Sequence, residues 1–174
     1  MGMPSCKRCL PRNFQYLAIV MEVCLQLFYL LFILNPFVIW GSTAYITKDD
    51  IEIWPKSMRD SSYWNQQIRA ELQNIYTDSF ESLWFRYVDT VKNIYEKRKD
   101  GDLCMEEVKR GQCPMLIVHG AKDRLCPQFH ADYLKENIRG SEMVVMEEGT
   151  HALQFKCAQE FNLLSEQFLL NNIN

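Results

Sequence analysis

MLIVHGAKDRLCPQFHADYLKENIRGSEMVVMEEGTHAL, residues 115–153, is the stretch that decides the fold. Its two apolar runs, Met115 to His119 and Met143 to Met146, are short and apolar on both faces, which predicts fully buried strands. The turn GAKDRLCP follows the first run, and Pro127 suits the first position of a helix carrying Phe129, Tyr133, Leu134 and Ile138. Gly140 stops that helix. Strand, helix, strand in this order predicts a parallel βαβ unit. Sites in open parallel sheets form beyond the carboxyl ends of the strands. Asp123 follows the first strand, and His151 follows the second through the loop Glu147-Glu148-Gly149-Thr150. There an acid can orient an imidazole and stabilise its charged form, while the imidazole deprotonates a nucleophile. The bland alternative is an Asp bonded to its own turn and a polar surface His. His119, at the end of a buried strand, is expected to be structural, and His130, on a helix, is expected to be exposed.

Upstream, Phe37 to Trp40 (FVIW), closed by Gly41, reads as another buried strand. A helical region follows, with Trp64, Ile68, Leu72, Ile75 and Tyr76 at helical spacing. Asp78 and Glu81 resemble a capping box opening a second helix with Phe80, Leu83, Trp84, Tyr87, Val88, Val91, Ile94 and Tyr95 on its apolar positions. That helix ends in Lys97, Arg98 and Lys99, where cations suit the C-terminal dipole. A short helix is expected over Leu103 to Lys109. Downstream, Cys157, Phe161, Leu164 and Phe168 mark one face of a final helix.

The amino end is different in kind. Residues 1–15 read as a basic tail with Lys7, Arg8 and Arg12, and residues 16–35 as an apolar helix ended by Pro36. Residues 16–34 (YLAIVMEVCLQLFYLLFIL) would span about 28 Å as a helix, close to a bilayer core. This run is a candidate uncleaved membrane anchor with the basic tail on the cytoplasmic side. Glu22 opposes that reading, although Gln26 shares its helix face. A buried helix or a replacement amino terminus is the alternative. Cys6 and Cys9 form a lone C-x-x-C without a second ligand pair for zinc, so they read as exposed thiols or, beside a membrane segment, palmitoylation sites.

Composition sets outer bounds. With 174 residues and 48% hydrophobic content, the chain is one domain's length and too apolar for disorder. The net charge of −3 argues against a nucleic-acid partner, which a basic face would attract. Seven irregularly spaced cysteines predict reduced thiols in a reducing compartment, unless the amino-terminal helix inserts and makes the chain membrane-associated.

PMLIVHGAKDRLCPQFHADYL resembles the acid-bearing strand and loop of α/β-hydrolases, and MVVMEEGTHAL resembles their His loop. The series FVIWGSTAYIT, MRDSSYW, CPMLIVHG, FHADYL and EEGTHAL resembles the valacyclovir hydrolase-like (biphenyl hydrolase-like) branch of that family, from about Phe37 to Leu170. The resemblance implies that Asp123 and His151 are triad acid and base, and that helices between residues 47 and 110 form a cap. It also implies hydrolysis of small esters, including amino-acid esters, without metal or organic cofactor.

One departure qualifies this. No G-x-S-x-G nucleophile elbow occurs upstream of Phe37; Ser5 lies in the context P-S-C, and Ser42 (WGSTA) reads as a cap-entry residue. The expected fold class is therefore α/β: a truncated α/β-hydrolase fold over residues 36–174, with three parallel strands, flanking helices and a helical cap. The apolar helix precedes it. The edge of the Phe37–Trp40 strand that would meet a nucleophile strand is expected to be free. Two functions are compatible with this. One is a hydrolase-family polypeptide acting on a small-molecule ester, inactive alone or dependent on another chain. The other is a non-catalytic, membrane-associated or regulatory fragment.

Overall fold

A computed structural model of the chain describes residues 36–52, 66–77 and 80–172. The apolar run 16–34, the Cys6/Cys9 pair, Trp64 and Asp78 lie outside the described residues.

The three expected strands form one parallel sheet in the order β1 (Phe37–Trp40), β2 (Met115–Gly120), β3 (Glu142–Met146). Phe37 pairs with Met115 and Trp40 with Val118; Leu116 pairs with Glu142 and Gly120 with Met146. Side chains alternate between the faces with the two-residue period of a strand. Ile39, Met115 and Ile117 point to one layer, with Val108, Ala131, Leu134 and Ile138. Leu116, Val118 and Met146 point to the other, with Leu153, Phe161 and Phe168. Every residue of β2 is buried, and burial of each large apolar side chain there is worth about 1.5–3 kcal/mol. The flanking strands are half-buried. This corrects the expectation that Phe37–Trp40 and Met143–Met146 are fully buried: a strand paired on one side within the described sheet leaves part of its surface uncovered.

Among the described residues, the longer helices are α1 (Gln66–Tyr76), α2 (Phe80–Lys97), α4 (Gln128–Asn137) and α6 (Ala158–Asn172). Among the short ones are α3 (Met105–Lys109) and α5 (Leu153–Lys156). The expected last helix thus divides at Cys157, whose backbone leaves helical geometry. α4 packs on β2 from one face, while α6 packs beside β1, where Trp40 meets Phe161 edge-on at 5.0 Å. Between β1 and the helices, residues 41–50 form a strap whose Ile46 packs with Val91 and Tyr87 of α2. Leu83 of α2 is 38% exposed, whereas Phe80, Val88 and Val91 are buried. No helix among the described residues is long and apolar enough to cross a membrane.

Candidate active site

Parallel pairing puts the ends of all three strands on one side, so Gly41, Asp123 and His151 emerge together. The loops after β2 and β3 are joined through backbone. Ala121 N–H donates to Met146 O at 2.9 Å and Lys122 N–H to Gly149 O at 2.8 Å. Gly120 and Gly149 meet back to back: a methyl on Gly120 would stand 2.5 Å from the Gly149 carbonyl carbon. Carbon pairs normally rest at about 3.5–4.0 Å, so two residues without side chains are needed for this approach.

The joined loops bring Asp123 to His151. The Asp123 Oδ1 accepts backbone N–H bonds from Leu125 at 2.8 Å and Cys126 at 2.9 Å. Its Oδ2 lies 2.9 Å from His151 Nδ1. An ionised carboxylate only accepts, so the proton sits on Nδ1. That leaves the Nε2 lone pair to take a proton, and no residue among those described hydrogen-bonds to it. The Asp123 side chain is 1% exposed and that of His151 is 21% exposed. Burial pushes the Asp123 carboxyl up, but the hydrogen bond from His151, with the two backbone donors, holds it below its ordinary value of 3.8.

Two other sequence candidates lie nearby. Ser42 is buried; its hydroxyl donates to Trp40 O at 3.0 Å and its carbonyl accepts the Cys126 thiol at 3.4 Å. His119 is buried at the end of β2, where burial pushes its imidazole down toward the neutral form.

His130 corrects the expectation of an exposed residue: its side chain is 0% exposed. Its Nε2 lies 3.0 Å from Asp50 Oδ2, and its Nδ1 lies 2.7 Å from Thr43 Oγ1. Asp50, also fully buried, accepts Thr47 N–H at 2.8 Å and the Thr47 hydroxyl at 2.7 Å. Burial raises the Asp50 carboxyl, while the bonds from His130 and Thr47 lower it below 3.8 overall. This second pair ties the strap to α4. Thr43 and Asp50 were not singled out by sequence, since no local pattern links them to a residue 80 or more positions away. A usable signal existed for His130, which shares the i, i+4, i+8 face of Leu134 and Ile138. Cys126 lies between the two pairs; burial and the charges of Asp123 and Asp50 push its thiol well above the ordinary range. No cluster of His, Cys, Asp or Glu among the described residues is arranged to hold a metal ion.

No family model matches the chain. The chain is 40% identical over 137 residues to serine hydrolase BPHL from Homo sapiens, covering 78% of this chain and 46% of that protein. Its counterpart from Mus musculus is 39% identical over the same shares. The chain therefore spans just under half the length of these relatives. Among solved structures, the meta-cleavage product hydrolase CumD from Pseudomonas fluorescens IP01 superposes with a TM-score of 0.61 at 16% identity, covering 97% of this chain and 75% of that one. Sheet order, strand-end loops and sequence likeness agree: the chain shares the fold of α/β-hydrolases and is similar to the serine hydrolases named BPHL.

Proposed function

We propose that Asp123 and His151 are the acid and general base of a serine-hydrolase triad that acts on small carboxylic esters, amino-acid esters included. The carrying observation is the 2.9 Å Nδ1–carboxylate contact at the strand ends, with Nε2 left for a hydroxyl. Asp123 fixes the tautomer and stabilises the imidazolium that forms when His151 takes the nucleophile's proton. The 174 residues contain no G-x-S-x-G, so in this reading the chain supplies acid and base and needs its nucleophile from elsewhere. General-base assistance to water is worth about 10²–10⁴-fold, against at least about 10⁶-fold for a working enzyme.

The test is turnover of an activated ester by the purified chain. Negligible hydrolysis is expected, insensitive to serine-directed phosphonates. Mixing the chain with the nucleophile-bearing half of human BPHL is expected to yield turnover that Asp123→Asn and His151→Ala both abolish. Turnover indifferent to both substitutions contradicts the assignment. Family-like turnover by the chain alone, lost in both variants, places a nucleophile within it, and Ser42 is then the first residue to replace.

A second reading concerns residues 16–34, whose apolar run after a basic tail favours membrane association. The full chain is expected to remain in the membrane pellet after carbonate washing and a chain lacking residues 1–35 to be released. Release of the full chain contradicts the anchor.

A further inference from the structure

Gly41 is the first residue after β1, and its backbone lies against the His151 imidazole. A methyl group on its Cα would stand 2.8 Å from Cε1, 3.1 Å from Nδ1 and 3.5 Å from Nε2 of that ring. Its φ is +55°, a left-handed conformation that glycine adopts without steric cost. The ring therefore rests on a bare stretch of main chain, on the side of the nitrogen that donates to Asp123. We propose that Gly41 is a positioning residue for the candidate base: its missing side chain is the space that lets the His151 ring reach the Asp123 carboxylate.

The proposal rests on the assigned pairing of Asp123 with His151, and adds a third strand end to a site that sequence places on two. The strap after Gly41 has little freedom to withdraw. Thr43 and Asp50 hold it to His130, and the Cys126 thiol holds the carbonyl of Ser42, the very next residue. At Ile46 the strap meets Gly101 so closely that a methyl there would fall 1.9 Å from the Ile46 carbonyl oxygen. With its backbone pinned along this length, an added methyl at position 41 displaces the ring rather than the strap.

Gly140 supplies the control. Its φ is +77°, yet nothing lies within 4 Å of a methyl placed on it. Gly140→Ala therefore carries the backbone strain of a left-handed alanine without the collision, whereas Gly41→Ala carries both.

The experiment is proton NMR of the full chain. The readout is the downfield resonance of an imidazole Nδ1–H bonded to a carboxylate, assigned by its loss in Asp123→Asn. Wild type and Gly140→Ala are expected to show it, and Gly41→Ala to lose it while remaining folded. A folded Gly41→Ala that keeps the resonance overturns the positioning role alone. Its absence from wild type overturns the Asp123–His151 pair itself, and this proposal with it. Should Gly41→Ala not fold, Gly41→Ala combined with His151→Ala decides. Recovery of a folded chain with the ring removed supports the collision, and continued unfolding overturns it in favour of strain in the strap.

Discussion

The Asp123–His151 and Asp50–His130 contacts have nearly the same length, 2.9 and 3.0 Å, in opposite surroundings. In the first, one ring nitrogen is held and the other has no hydrogen-bond partner among the described residues. In the second, Thr43 takes the other nitrogen, and both side chains are fully buried. Both carboxyls sit below their ordinary value, so the direction of the shift does not separate the open pair from the closed one. What separates them is the second nitrogen of the imidazole. Left unbonded at a strand end, it can take a proton; bonded in the interior, it fastens a strap to a helix.

The largest expected difference between the two pairs is in stability. Removing the hydrogen-bond partner of a buried carboxylate costs about 3–5 kcal/mol, because its charge is left uncompensated. His130→Leu leaves the Asp50 carboxylate without its imidazole and is expected to lower the melting temperature by about 10 °C, using roughly 2–4 °C per kcal/mol for a chain of this size. His151→Leu is expected to lower it by only a few degrees. Equal losses would mean that the two pairs are equally structural.

Next in size is the glycine contact that assembles the open pair. Gly120→Ala drives a methyl into the Gly149 backbone, and overpacking of this kind costs about 1–3 kcal/mol. Urea unfolding is expected to show that loss together with disappearance of the His151 Nδ1–H resonance. Retention of the resonance would show that the loops can part without separating acid from base.

Acid acts on both pairs. A carboxyl whose folded value is depressed contributes stability that is complete above its unfolded value and is lost as pH falls through the folded value. For Asp50 and Asp123 the unfolded value is about 3.8, so the urea midpoint is expected to drop steeply below that pH. Asp50→Asn and Asp123→Asn are each expected to flatten the drop. An unchanged slope in either variant removes that residue from the acid response.

The smallest effect concerns Glu148, which meets Lys122 at 2.5 Å and Lys156 at 3.9 Å on the surface beside the His loop. Exposed ion pairs are weak, and Glu148→Gln is expected to leave both the melting temperature and the His151 resonance unchanged. A lost resonance would make this surface pair part of the site.

The open pair was legible in sequence and the closed pair was not. Asp123 and His151 each follow an apolar strand by a few residues, so local pattern plus the strand-end rule for parallel sheets is enough to bring them together. Asp50 sits in a polar stretch, ITKDD, that looks solvated, and its burial depends on α4 arriving from 80 residues away. His130 reads as exposed because histidine is a polar residue on a helix whose flanks include Asp132, Lys135 and Glu136. Its place in line with Leu134 and Ile138 carried the contrary message. Gly41 was legible as a strand stop, but its role against an imidazole is a matter of distance across the sheet end, which no spacing encodes.

The most direct test of the division between open and closed pairs is the reaction of the folded chain with diethyl pyrocarbonate, followed by peptide mapping. The chain has three histidines, at 119, 130 and 151. His119 is buried and His130 is sealed with both nitrogens bonded, whereas the His151 side chain is 21% exposed with Nε2 unbonded among the described residues. The expected result is one modified histidine, His151, with the other two reacting only after denaturation. Modification of His130 at a rate comparable to His151 in the folded chain would contradict the account.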